Sequence, residues 1–166
     1  MARLIFITPQ EMQQTTIMGG NVDVDKYVNC IDEVQIRVIK RLLGGELYDK
    51  IVSDLEGSGL TGLYLEMFND YIKPITKYQS LASYIEISVF SLSNNGLNKY
   101  SSENTISPTI KEIEWLSEKQ SSIAQTYVNE FAKWIRLNKD NIPEYKLNQD
   151  GVDAEEINVN NGWYFD

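Results

Sequence analysis

Apolar residues recur at intervals of three and four through most of the chain, and this spacing constrains the fold more than any other feature. Tyr27, Val28, Ile31, Val34, Val38, Ile39 and Leu42 form one stripe, and Leu47, Tyr48, Ile51, Val52 and Leu55 form a second. Leu63, Tyr64, Met67, Phe68, Tyr71 and Ile72 begin a third, which resumes beyond Pro74 with Ile75, Tyr78, Leu81, Ala82, Ile85, Val89 and Phe90. The longest carries Ile110, Ile113, Leu116, Ile123, Ala124, Tyr127, Phe131, Trp134 and Ile135. A period near 3.6 places such residues on one face of a helix. The expected fold is therefore all-α, a bundle of about five helices.

The punctuation between stripes agrees. Arg3 to Thr8 reads as a strand or extended lead-in, and Thr8-Pro9-Gln10-Glu11 as a helix start with cap, N1 proline and N3 partner. The helix after it is expected to be short and to end before Gly19-Gly20. The next opens at Asp23 or Asp25, carries Lys40 and Arg41 in its last turn and stops at Gly44, as the helix dipole and a C′ glycine require. Gly57-Ser58-Gly59 ends the following one. Pro74 lacks an N–H and predicts a break or kink. Ser93-Asn94-Asn95-Gly96 stops the third stripe and opens an irregular loop at 93–106, a long loop or irregular hairpin that includes Leu97, Tyr100 and Ile106. Ser107-Pro108 opens the last helix, which should end near Asn138. The helical domain is thus expected over 1–140, with an extended arm over 141–166.

Composition narrows the chemistry. The chain has 166 residues, no histidine and one cysteine, Cys30, which excludes internal disulfides, cysteine-based zinc sites and histidine-dependent catalysis. The net charge of −9 argues against non-specific nucleic-acid binding, which depends on Lys and Arg at phosphates. Arg3 and the run from Leu4 to Ile7 have neither the length nor the pattern of a signal peptide. No stretch approaches the roughly 20 apolar residues of a membrane span. The expectation is a chain used in a reducing cytoplasm, or in an assembly built there.

Three patterns resemble functional motifs. Gly57-Ser58-Gly59-Leu60-Thr61-Gly62 matches the dinucleotide fingerprint, but a helical stripe precedes it instead of a strand, so a helix–helix turn is expected. Asn21, Asp23, Asp25 and Asp32 occupy positions of a calcium loop. Lys26 stands where that loop needs glycine, and Asp32 where it needs glutamate. Glu112, Glu114 and Glu118, near Lys111 and Lys119, offer carboxylates for acid–base work, or simply a solvated first portion of helix that complements the dipole. Cys30 reads as a small buried hydrophobe. No catalytic, metal-binding or cofactor-binding residue is expected, and no cofactor.

The arm is different. Lys146 stands against Glu144, Asp150, Asp153, Glu155, Glu156 and Asp166, a net charge of −5, more than half of the chain's total. It finishes in Trp163, Tyr164 and Phe165. Either the arm folds back onto its own domain, or its aromatics anchor it in a pocket on a neighbour, where aromatic residues dominate binding energy. On the second reading Tyr145 and Leu147 add secondary contacts.

The opening Ile7-Thr8-Pro9-Gln10-Glu11, the acid-capped helix from Asp23 to Leu43 closed by Gly44, the two hydrophobic helices after it, the loop with Asn95-Gly96, and the Ser107-Pro108 helix bearing Trp134 together resemble the head-tail connector (adaptor, neck ring) proteins of tailed bacteriophages, in particular the crAss-like variety. The resemblance covers roughly residues 5 to 140 and is one of pattern. It implies a structural virion protein, made in the bacterial host cytoplasm, that forms a homo-oligomeric ring, typically dodecameric, beneath the portal. By resemblance, residues 141–166 would dock on the portal, and the loop with Asn95, Gly96, Leu97 and Tyr100 would face the channel or another neck or tail protein. DNA would pass without specific binding, and no membrane is involved. The alternative from another class is a monomeric helical interaction module gripping a partner helix. An enzyme comes third, using Asp23, Asp25 or Glu114.

Overall fold

In the computed structural model the described residues are 4–18, 24–93, 96–99 and 108–145. Among them are five helices and one two-stranded hairpin. Helix α1 is Pro9–Thr15, capped by the Thr8 hydroxyl, which accepts from the Glu11 N–H at 3.2 Å. The Glu11 carboxylate does not close a capping box; both its oxygens lie 3.2 Å from Lys73 Nζ. Helix α2 is Val24–Val34, widens into a π-helical turn at Gln35–Ile39 and continues as Lys40–Leu43. Gly44, at a φ of 78°, stops it and leads into α3, Gly45–Glu56.

Helix α4 starts at Gly62–Met67, passes through a second π-helical turn at Phe68–Ile72 and runs on as Lys73–Ser88. The break expected at Pro74 does not occur. Ile72 and Lys73 keep helical dihedrals, and the wider turn immediately before the proline takes up the hydrogen-bond register that the missing N–H disrupts. The third stripe nevertheless ends earlier than its spacing suggests. Val89 and Phe90 leave the helix, and β1, Phe90–Ser93, pairs antiparallel with β2, Gly96–Lys99, with Leu92 opposite Leu97. Phe90-Ser91-Leu92-Ser93 alternates with a period of two, and Asn95-Gly96 is a strong hairpin signal. The hairpin occupies the start of the segment expected as an irregular loop.

Helix α5, Ile110–Asn138, is the longest and ends in a 3-10 turn at Lys139–Asn141. It starts two residues beyond the expected Ser107-Pro108 signal. Thr109 is the cap, and a reciprocal capping box joins its hydroxyl to the Glu112 N–H and the Glu112 carboxylate to the Thr109 N–H, at 3.3 and 2.7 Å. Ile110, counted in the stripe, is exposed at the helix start.

α4 lies against α2 on one flank and α5 on the other. The main core gathers Val34, Ile39 and Leu42 of α2, Leu47 and Ile51 of α3, Met67, Phe68 and Ile72 of α4, and Val128, Phe131 and Ile135 of α5. A smaller core joins Ile7, Met12 and Met18 to Tyr27, Ile31 and Leu81. Several buried residues of α4 and α5 are polar, Thr76 and Ser80 on α4 and Ser117, Gln120 and Ser121 on α5. Ser117 Oγ donates to Glu86 Oε1 at 2.6 Å and also lies 3.2 Å from the Ala82 carbonyl oxygen. Ser80 Oγ is buried without a hydrogen-bond partner among the described residues.

Candidate functional site

The chain leaves α5 through a short anchored segment. Ile142 is fully buried in the main core, and its N–H donates to the Lys139 carbonyl at 3.1 Å. The Tyr145 ring meets Phe131 edge-on at 6.2 Å between centroids. Between them, Glu144 accepts a 2.6 Å hydrogen bond from the Tyr64 hydroxyl, 80 positions earlier in the chain. Burial first, then this bond and the charges of Glu144 and Asp54, push the Tyr64 hydroxyl up to about 12. The packed body therefore extends beyond residue 140, because Ile142 is too apolar to leave its core.

An aromatic surface adjoins this exit. Tyr71 lies 5.6 Å from Trp134 and 6.2 Å from Phe131. The Trp134 indole N–H donates to Glu66 Oε1 at 2.8 Å. Burial raises the Tyr71 hydroxyl, and the nearby carboxylates of Asp70, Glu66 and Glu130 raise it further. Leu137, one turn beyond Trp134, is 83 % exposed.

Of the residues expected at partner contacts, Tyr145 forms part of the anchored exit, while Leu147, Trp163, Tyr164 and Phe165 lie outside the described residues, as does the rest of the arm beyond Tyr145. Of the loop residues, Gly96 and Leu97 belong to β2, and Asn95 and Tyr100 lie outside the described residues. The hairpin's first strand continues from the end of α4, whose Ala82 and Glu86 meet Ser117 in the first part of α5, whereas the exit follows the last turn of α5.

The motif-like patterns resolve locally. Gly57 to Thr61 form the turn between α3 and α4, and Gly59 and Gly62, the first residue of α4, have φ of 84° and 55°. Over residues 24–32 the calcium-loop pattern is helix and not loop, because Val24–Val34 is helical. Asn21 and Asp23 lie outside the described residues. Glu112 closes the capping box with Thr109, and Glu114 and Glu118 are exposed. Among the described residues no three acidic or thiol side chains converge as a metal set, and no helix is long and apolar enough to cross a membrane. Cys30 is buried, and burial, followed by the charge of Glu33, raises its thiol to about 11.

Sequence reasoning missed Gln35. Its side chain is fully buried, and its carboxamide bonds the backbone of Leu4 and Phe6. A glutamine adjoining an apolar stripe carries no signal that separates this role from solvent exposure.

The chain belongs to DUF6712, a family of unknown function, which it matches over residues 39–155. No curated protein and no solved structure matches it.

Proposed function

We propose that this member of the DUF6712 family is a structural virion protein, a subunit of a ring in the neck of a tailed phage that joins the portal to the tail around the DNA channel. The reading assigns no catalytic role to any residue. The observation that carries it is the placement of two non-helical elements at opposite ends of α5. That helix has 29 residues, about 43 Å at 1.5 Å per residue. A hairpin at one end and an anchored, acidic, aromatic-tipped chain at the other suit a spacer that touches a different neighbour at each end.

Ile142, Glu144 and Tyr145 hold the root of the C-terminal segment on the body. Trp163, Tyr164 and Phe165 are its anchors in the portal, with Leu147 a secondary contact. The net charge of −9 suits a conduit through which a polyanion slides without sticking. In this reading the hairpin, with Gly96 and Leu97 in its second strand, approaches the channel or the next ring.

The test is deletion of residues 146–166 followed by co-sedimentation with purified rings of the cognate portal. Far-ultraviolet circular dichroism should keep its helical signal while binding is lost. Undiminished binding by the shortened chain overturns the reading.

A further inference from the structure

One short segment near the start of the chain reaches both π-helical turns. Leu4 and Phe6 bond the carboxamide of Gln35, the first residue of the turn in α2. The Phe6 ring stands edge-on to Phe68, the first residue of the turn in α4, with 5.3 Å between centroids. Glu11 pairs with Lys73, which directly follows that turn and places its Nζ 5.9 Å from the Phe68 ring centre. Phe6 is buried in the main core and Ile7 in the smaller one, so residues 4–11 clasp α2 to α4. A π-helical turn is a rare backbone state, and such states persist where the surrounding structure over-determines them. In α4 the sequence itself supplies a reason, because Pro74 stands just beyond the turn. Helix α2 contains no proline, and its turn is met by the clasp.

The apolar residues of α2 fit two registers. In a regular helix Val34, Val38 and Leu42 succeed one another at intervals of four along one face. Across the π turn the face passes instead from Val34 to Ile39, five positions on, and then to Leu43. The second series is the one in the core: Ile39 and Leu43 are buried there with Leu42, whereas Val38 is half-buried at the edge. The Lys40 N–H accordingly donates to the Gln35 carbonyl, five residues back, as the Lys73 N–H does to that of Phe68. Gln35 is fully buried in this register, and a buried carboxamide is costly unless its donor and acceptor are satisfied. The clasp supplies a partner to each.

We propose that the segment Leu4–Glu11 is a conformational device that selects the register of α2. With the segment seated, Gln35 turns inward and the helix keeps its π turn, with Ile39 in the core. With the segment displaced, Gln35 loses both partners and the turn closes to regular α-helix. Gln35 and Ile39 then rotate outward, and Val38 takes the core position. The register of α4 stays as it is, because Pro74 still demands the wider turn. The coupling is reciprocal: whatever holds α2 in the closed register also releases the segment. This device is independent of what the protein assembles into.

The register is read directly from the scalar coupling across each hydrogen bond, measured by NMR on isotope-labelled, full-length protein. In the wild type the Lys40 N–H should couple to the Gln35 carbonyl carbon and the Lys73 N–H to that of Phe68. Phe6→Pro removes the ring and the N–H of the clasp, and Gln35→Ala removes the carboxamide that holds it. In each variant the Lys40 N–H should couple to the Ile36 carbonyl carbon, while Lys73 keeps Phe68. Gln35→Ala should also raise the exchange rate of the Phe6 amide at least about tenfold. Adding Val38→Ser to Gln35→Ala should restore position 35 as the partner of Lys40, because the closed register buries position 38 more deeply than the widened one. Where one variant loses its helical circular-dichroism signal, the other decides. A Lys40 N–H that stays coupled to position 35 in a folded variant overturns the proposal, as does a double variant in which it still couples to Ile36. Melting of α2 in both single variants overturns it too, since no second register then exists.

Discussion

Gln35 holds Phe6 from 29 positions along the chain: the Phe6 N–H donates to Gln35 Oε1 at 2.7 Å. The same carboxamide donates from Nε2 to the Leu4 carbonyl at 3.0 Å, so one side chain satisfies the backbone on both sides of Ile5. The lead-in therefore needs no strand partner. Phe6 then packs on Tyr48 and Phe68, with ring centroids 5.6 and 5.3 Å away, which ties the first residues to α3 and α4.

Replacing Gln35 by Leu removes both bonds and leaves a buried donor and acceptor unpaired. At about 1 kcal/mol or more for each, the expected loss is about 2 kcal/mol, a fall of roughly 4–8 °C in Tm for a chain of this size. Thermal unfolding measures it, and a shift under about 1 °C would show that water replaces the carboxamide.

Two buried serines, Ser80 on α4 and Ser117 on α5, should respond in opposite directions. Ser80→Ala removes a buried hydroxyl with no partner among the described residues and should be neutral or stabilising by up to about 1 kcal/mol. Ser117→Ala removes the bond to Glu86 and the contact with the Ala82 carbonyl and should destabilise by about 1 kcal/mol or more. Urea unfolding of the two variants makes the comparison, and equal effects would contradict it.

Cys30 should be a slow nucleophile in the native protein. Its thiol is raised from 9.0 to about 11 and is buried, so little thiolate exists at pH 8. Labelling with a disulfide reagent should be at least about tenfold faster in denaturant than in buffer; equal rates would place the thiol at the surface.

The exit segment should loosen at alkaline pH. The Tyr64 hydroxyl titrates at 10.0 in its ordinary state and at about 12 here, so the fold favours its protonated form. The stability this confers is complete below pH 10 and is lost as pH rises towards 12. In wild type, unfolding free energy should fall across that window more steeply than in Tyr64→Phe, which lacks the titrating group. Parallel curves would show that the Glu144 bond confers no pH-linked stability.

Much of the helical architecture was legible in the sequence because burial on a helix leaves a period that survives in the residue order. The apolar spacing between the Gly44 and Gly57 stops marked α3, which forms over Gly45–Glu56, and put the end of α5 near Asn138, where it falls. Local chemistry also marked caps, although Thr109 displaced Ser107 because only Thr109 stands three residues before a glutamate that reaches back to it. The π turns were not legible. They shift the register of α2 and α4 by less than a turn, too little to erase a stripe but enough to carry the chain through Pro74 and to present Ile36 at the surface.

The candidate surfaces were legible only in part. The aromatic end of the arm stands out in the sequence, yet its root does not, since Tyr64 and Glu144 meet only when α4 and the exit segment fold together. The pairing of Glu66 with Trp134 joins residues 68 positions apart for the same reason.

What the sequence by itself determined is the set of helices, their order and most of their ends, because capping and amphipathic burial act within a few residues of chain. What only the tertiary structure decided is which polar groups are buried and with whom. Gln35, Ser117 and Glu144 all look like surface residues in the sequence, and their roles depend on the backbone or side chain that arrives from a distant segment.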